Sequence, residues 1–73
     1  MLTITKTLVL IPGMKYAIIS DFDRKELAHG RVEYGDTFES IINEANTYIR
    51  CNCFAPVVFQ IDGHDVADNR KEF

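Results

Sequence analysis

Three groups of residues carry the types that chemistry needs. Cys51 and Cys53 stand one residue apart in "RCNCFAP", a pattern that invites a soft metal or a redox reaction. His64 and Asp65 follow one another directly. Asp21, Asp23 and Glu26 crowd the segment "DFDRKE", and clustered carboxylates suit hard cations.

A structural zinc site takes four ligands, often as two close pairs. Cys51 and Cys53 supply one pair. His64 would have to join His29 or Asp62, and none of these forms a second close pair. A redox-active thiol needs a lowered pKa, commonly from a helix N-terminus. These cysteines instead follow a helical pattern and meet its negative end. The reading that fits best is apolar: Cys51 and Phe54 turn toward the core as a helix stops, and Cys53 lies in the connection. No metal and no cofactor is expected. The alternative is a small zinc-binding protein using Cys51, Cys53 and His64.

The other routes to catalysis are poorly supplied. A metal phosphohydrolase built on His64-Asp65 needs more ligands than a chain with two histidines offers. "DFDRKE" lacks the twelve-residue calcium-loop pattern, and Arg24 and Lys25 stand among its acids. Ser20 and Ser40 have no nucleophile signature around them. The glycines form no phosphate-cradling loop. A chain of 73 residues hardly encloses a substrate pocket. A non-catalytic protein is expected.

Positioning these residues falls to a few elements. Leu2, Ile4, Leu8 and Leu10 alternate with Thr3, Thr5, Thr7, Val9 and Ile11, which predicts a first strand over 2–11. Pro12-Gly13 turns it. "KYAIISDF" predicts a second strand over 15–21, and "ELAHGRVEY" a third over 26–34. Ala28, Gly30, Val32 and Tyr34 share one face of that third strand; Leu27, His29, Arg31 and Glu33 share the solvated other. Gly30 suggests a bulge or a close helix crossing. "GDTFESIINEANTYIR" then predicts a helix over 37–50, capped by Asp36 with Glu39. Phe38, Ile41, Ile42, Ala45, Tyr48 and Ile49 form its apolar side. Pro56 forbids continuation. "VVFQI" over 57–61 is the fourth strand, Asp62-Gly63 a hairpin turn, and "HDV" a short return.

The fold class is therefore α+β: a small antiparallel sheet of three to five strands packed against one amphipathic helix, in the order β-β-β-α-β. Residues 1–73 make one small domain, with 67–73 a loose charged tail. The expected core includes Leu8, Leu10, Ile18, Val32, Phe38, Ile41, Ile42, Ala45, Ile49, Val58 and Phe59. A domain of this size buries only roughly 60% of its unfolded surface, which favours a partner.

The hairpin and the following "GDTFESIINEANTYI", residues 15–50, resemble the small antitoxin-type HicB domain, in which a hairpin precedes a "GDT" helix start. The glycine- and proline-rich stretch that precedes the helix in that family is missing here, as is an appended DNA-binding segment. The resemblance implies a partner-binding, often dimeric module.

Charge points the same way. Lysine and arginine total 8 against 11 acids, a net charge of -3. Residues 21–49 alone carry a net of -4. Nucleic-acid affinity rests on neutralising phosphates, so direct nucleic-acid binding is not expected. No apolar run approaches the roughly 20 residues of a membrane span, no signal peptide stands out, and two cysteines make no disulfide framework. A cytoplasmic protein is expected. Its function is read as binding a protein partner, as an inhibitor or decoy of a basic nucleic-acid-binding surface. The alternative is a small subunit or antitoxin-like dimeric module of a larger assembly. Asp21, Asp23, Glu26, His29, Arg31 and Glu33 are the candidate partner-binding residues. A third strand at a sheet edge would offer its unpaired backbone to another strand, a second copy of the chain in a homodimer included.

Overall fold

Turn residues mark out the strands. The computed structural model describes residues 1–52 and 55–73. Gly13 turns with φ 97°, and the Met14 N–H donates to the Ile11 carbonyl at 3.1 Å. Asp62 and Gly63 both take positive φ, 53° and 80°, as a tight two-residue hairpin requires. Between these punctuation marks run five strands: β1 (Thr3–Ile4), β2 (Lys15–Ser20), β3 (Glu26–Arg31), β4 (Val57–Ile61) and β5 (His64–Asp68). One helix, α1 (Phe38–Asn52), separates β3 from β4, and a 3₁₀ turn at Arg70–Glu72 follows β5.

The strands form one antiparallel sheet in the order β1-β5-β4-β2-β3. The fold is the expected small α+β architecture, with the short return as a full fifth strand. Ile18 pairs with Phe59 and Tyr16 with Ile61, so these four side chains share a face. That face meets Ile41, Ile42, Ala45 and Ile49 of α1 in the buried core. Val58 is also buried, but it pairs with Ile19 and so lies on the opposite face. Leu8, Leu10 and Phe38 pack partly buried against the core.

The first strand is much shorter than its alternation predicts. After Ile4 the N–H groups of Thr5 and Lys6 converge on one carbonyl, that of Val66. The β4–β5 ladder has a register shift between Phe59 and Gln60, and with Val66 serving two donors the β1 ladder stops. The chain leaves the sheet with Val9 85% and Ile11 59% exposed. The expected third strand likewise ends early, at Arg31, leaving Tyr34 in the following turn.

The helix start moves by one residue. Asp36 is occupied in a turn: its carboxylate accepts the Glu33 N–H at 2.8 Å, and its own N–H donates to the Glu33 carbonyl at 3.0 Å. Thr37 takes the capping role instead. Its Oγ1 accepts the Ser40 N–H at 3.1 Å, and Ser40 Oγ accepts the Thr37 N–H at 3.0 Å. The reciprocal pair is a capping box, built from Thr37 and Ser40 rather than Asp36 and Glu39.

The final residues are tied into the fold. Ala67 and Asp68 complete β5. Asn69 is buried, and its Oδ1 accepts the Val57 N–H at 2.7 Å. Arg70 pairs with Asp21 at 2.9 Å.

Candidate functional site

The sheet has two edges, and β3 is the longer one, with six residues. Its inner side is fixed by Val32, whose N–H donates to the Met14 carbonyl at 2.8 Å. Hydrogen-bonded pairs recur at every second residue of an antiparallel ladder. Gly30 with Tyr16 and Ala28 with Ile18 continue that series. The backbone groups of His29 and Arg31 therefore point away from the sheet, whereas Leu27, the unmatched residue at the register shift between Ile18 and Ile19, turns only its carbonyl outward. The Leu27 carbonyl is taken by the Tyr48 hydroxyl, which donates at 3.1 Å. His29 and Arg31 keep outward-facing N–H and C=O groups.

A cleft of about 160 Å³ lies between this edge and α1, lined by Tyr16, Ile18, Ala28, Glu44, Tyr48 and Phe59 among others. Ala28 is the small residue that β3 contributes to its lining. The Tyr16 ring lies over Gly30, where an added Cβ would come within 2.6 Å of Tyr16 Cζ. That contact, rather than a bulge at Gly30 or a helix crossing, accounts for the glycine; the register shift of this hairpin falls between Ile18 and Ile19. Tyr16 also packs on Phe59 with ring centroids 5.7 Å apart. Burial, reinforced by the negative charges of Glu44, Asp36 and Glu33, raises the Tyr16 hydroxyl above its ordinary pKa. Among the described residues Glu44 has no ion-pair or side-chain hydrogen-bond partner.

The opposite face of the sheet has a second cleft, about 410 Å³, with Ala17 at its floor and Lys15, Glu26, His29, Arg31 and Gln60 around it. Lys15 stands directly across from Arg31, a like-charge pairing that disfavours folding. Arg31 donates to the Gly13 carbonyl at 3.0 Å, and His29 Nδ1 lies 3.3 Å from Glu26.

The six residues picked from the sequence thus separate. Glu26, His29 and Arg31 share the solvated side of β3. Asp21 and Asp23 sit in the β2–β3 turn, with Asp21 engaged by Arg70. The Lys25 backbone N–H donates to Asp23, which is the main reason its carboxyl is held below the usual range. Glu33 lies beyond the other end of β3, in the turn with Asp36. Glu44, Tyr48 and Tyr16 stand outside that set. Glu44 and Tyr48 are four residues apart on the helix and so neighbours on one face, but which strand that face meets is set by the strand order.

Cys51 is exposed in the last turn of α1, not core-facing, and His64 is exposed at the start of β5. Cys53 and Phe54 lie outside the described residues. Among the described residues no group of three or more histidine, cysteine, aspartate or glutamate side chains is placed to hold a metal. Among them, too, no helix is long and apolar enough to cross a membrane.

No family model matches this chain, and neither a curated protein nor a solved structure matches it. The likeness of residues 15–50 to the HicB-type domain rests on the hairpin and the helix start alone, and the cap of that helix is Thr37.

Proposed function

We propose that this chain is a non-catalytic binding module that accepts an extended segment of a protein partner along β3. The observation that carries this reading is the open edge: among the described residues the outward backbone groups of His29 and Arg31, on a six-residue edge strand, have no backbone partner. Adding a strand to such an edge gives affinity through main-chain hydrogen bonds, while alternate side chains enter flanking pockets. Here both flanks have clefts, one against α1 and one on the open sheet face. The separation of the acids along β3 favours a local contact at this edge over a broad acidic decoy surface.

The test is a selection of short peptides on the immobilised chain, followed by amide hydrogen exchange of the complex. Selected peptides should slow exchange at His29 and Arg31, and His29→Pro should abolish their binding. Peptides that protect other segments, or that still bind the proline variant, would overturn the reading.

A further inference from the structure

The two sides of a docked strand would meet different chemistry. Residues added across from Ala28 and Gly30 would turn their side chains to the α1 side, because directly opposed residues share a face. There they meet the rings of Tyr16 and Tyr48 and the carboxylate of Glu44. Resting on the reading of β3 as a docking edge, we propose that the docked segment carries an arginine or lysine whose cationic head lies between these two rings and Glu44.

Three features of the cleft favour this occupant. First, its walls are mainly apolar and aromatic, which suits the methylene stem of a long basic side chain. Aromatic faces also attract a cation. Second, Glu44 is the acid that lines the cleft, and it has no partner among the described residues, so an incoming cation displaces no existing ion pair. Third, the surrounding charge is one-sided: Glu33, Asp36 and Glu44 all act on the Tyr16 hydroxyl in the same direction. An acidic side chain entering here would be repelled. On the opposite face the two cations Lys15 and Arg31 outnumber the single acid Glu26, so the basic residues belong at alternate positions only.

The experiment uses three capped seven-residue peptides added to the isotope-labelled full chain. One alternates threonine with arginine, one threonine with glutamate, and one threonine with leucine. Amide shifts report the site and the affinity. The arginine peptide should move the signals of His29, Arg31, Glu44 and Tyr48, and should bind at least about tenfold more tightly than the glutamate peptide. Glu44→Gln lies at an exposed helix position and should weaken the arginine peptide roughly three- to tenfold, leaving the leucine peptide unchanged. Glu44→Lys should weaken it further.

Equal binding of all three peptides at the edge, untouched by Glu44→Gln, would overturn the cationic side chain and leave the docking edge standing. Failure of every peptide to move the His29 and Arg31 signals would overturn both. Protection of those amides that grows with the chain's own concentration, without peptide, would assign the edge to a second copy and overturn both as well.

Discussion

The two edges of this sheet are finished differently. At β1 the edge is short. The strand is two residues long, Thr5 and Lys6 both spend their N–H groups on Val66, and the Leu2 N–H donates to Asn46 Oδ1 of the helix at 2.7 Å. At β3 six residues run along the rim, and Tyr48 covers the Leu27 carbonyl while His29 and Arg31 face outward. Long unprotected edges invite pairing, and proteins usually blunt them. This sheet is blunted by shortness at β1 and left pairing-competent along β3. The lesson is that strand length, more than surface charge, distinguishes a structural edge from a docking edge here.

Two leucines give the sharpest way to break that comparison. Leu2 beside β1 is 7% exposed, whereas Leu27 on β3 is 43% exposed. Leu2→Ala should cost about 2–5 kcal/mol, through lost burial and the cavity left behind. Such a loss is a large part of a small domain's stability. Leu27→Ala should stay within about 0.5 kcal/mol, as surface changes usually do. Urea midpoints of the two variants decide the matter. Equal losses would mean that β3 is as structurally committed as β1.

Proline substitution tests which way the β3 backbone points. Ala28→Pro removes an N–H that faces β2 and should cost about 1 kcal/mol for the hydrogen bond, with further loss from ring strain. His29→Pro removes an outward N–H and should cost less, since edge positions facing solvent tolerate proline. Thermal unfolding of both variants would show the order. A reversed order would place Ala28, rather than His29, on the free rim.

Much of this architecture was legible because its causes are local. Alternation located β2, β3 and β4, the period of Phe38, Ile41, Ile42, Ala45 and Ile49 located α1, and Asp62-Gly63 located its hairpin. What was not legible depended on distant residues or on small phase errors. The length of β1 is decided by the carbonyl of Val66, some sixty residues away. The cap fell to Thr37 because Asp36 was drawn into a turn with Glu33. Cys51 is exposed because α1 continues through Asn52. On a helix of 3.6 residues per turn, Cys51 stands roughly 200° round from buried Ile49. For the site, the solvated side of β3 was readable from its alternation, and that side bears His29 and Arg31. Its partners Glu44 and Tyr48 were not, because facing β3 depends on strand order.

The smallest expected effect concerns the charge difference between the two edges. The acids that act on Tyr16 gather at the β3 side, and with burial they hold its hydroxyl above the ordinary value of 10.0. The folded state therefore keeps the tyrosine proton that the unfolded chain gives up. This contribution is fully present below pH 10.0 and is lost as pH rises through the higher folded value. Stability of the wild-type chain should thus fall more steeply above pH 10.0 than that of Tyr16→Phe, which has no proton to lose there. Because burial is the leading cause, Glu44→Gln should reduce the difference without removing it. Unfolding followed by urea across the alkaline range measures all three. Parallel curves for wild type and Tyr16→Phe would mean that the ring sits in open water. The cleft beside β3 would then lack the desolvated aromatic wall that sets this edge apart from β1.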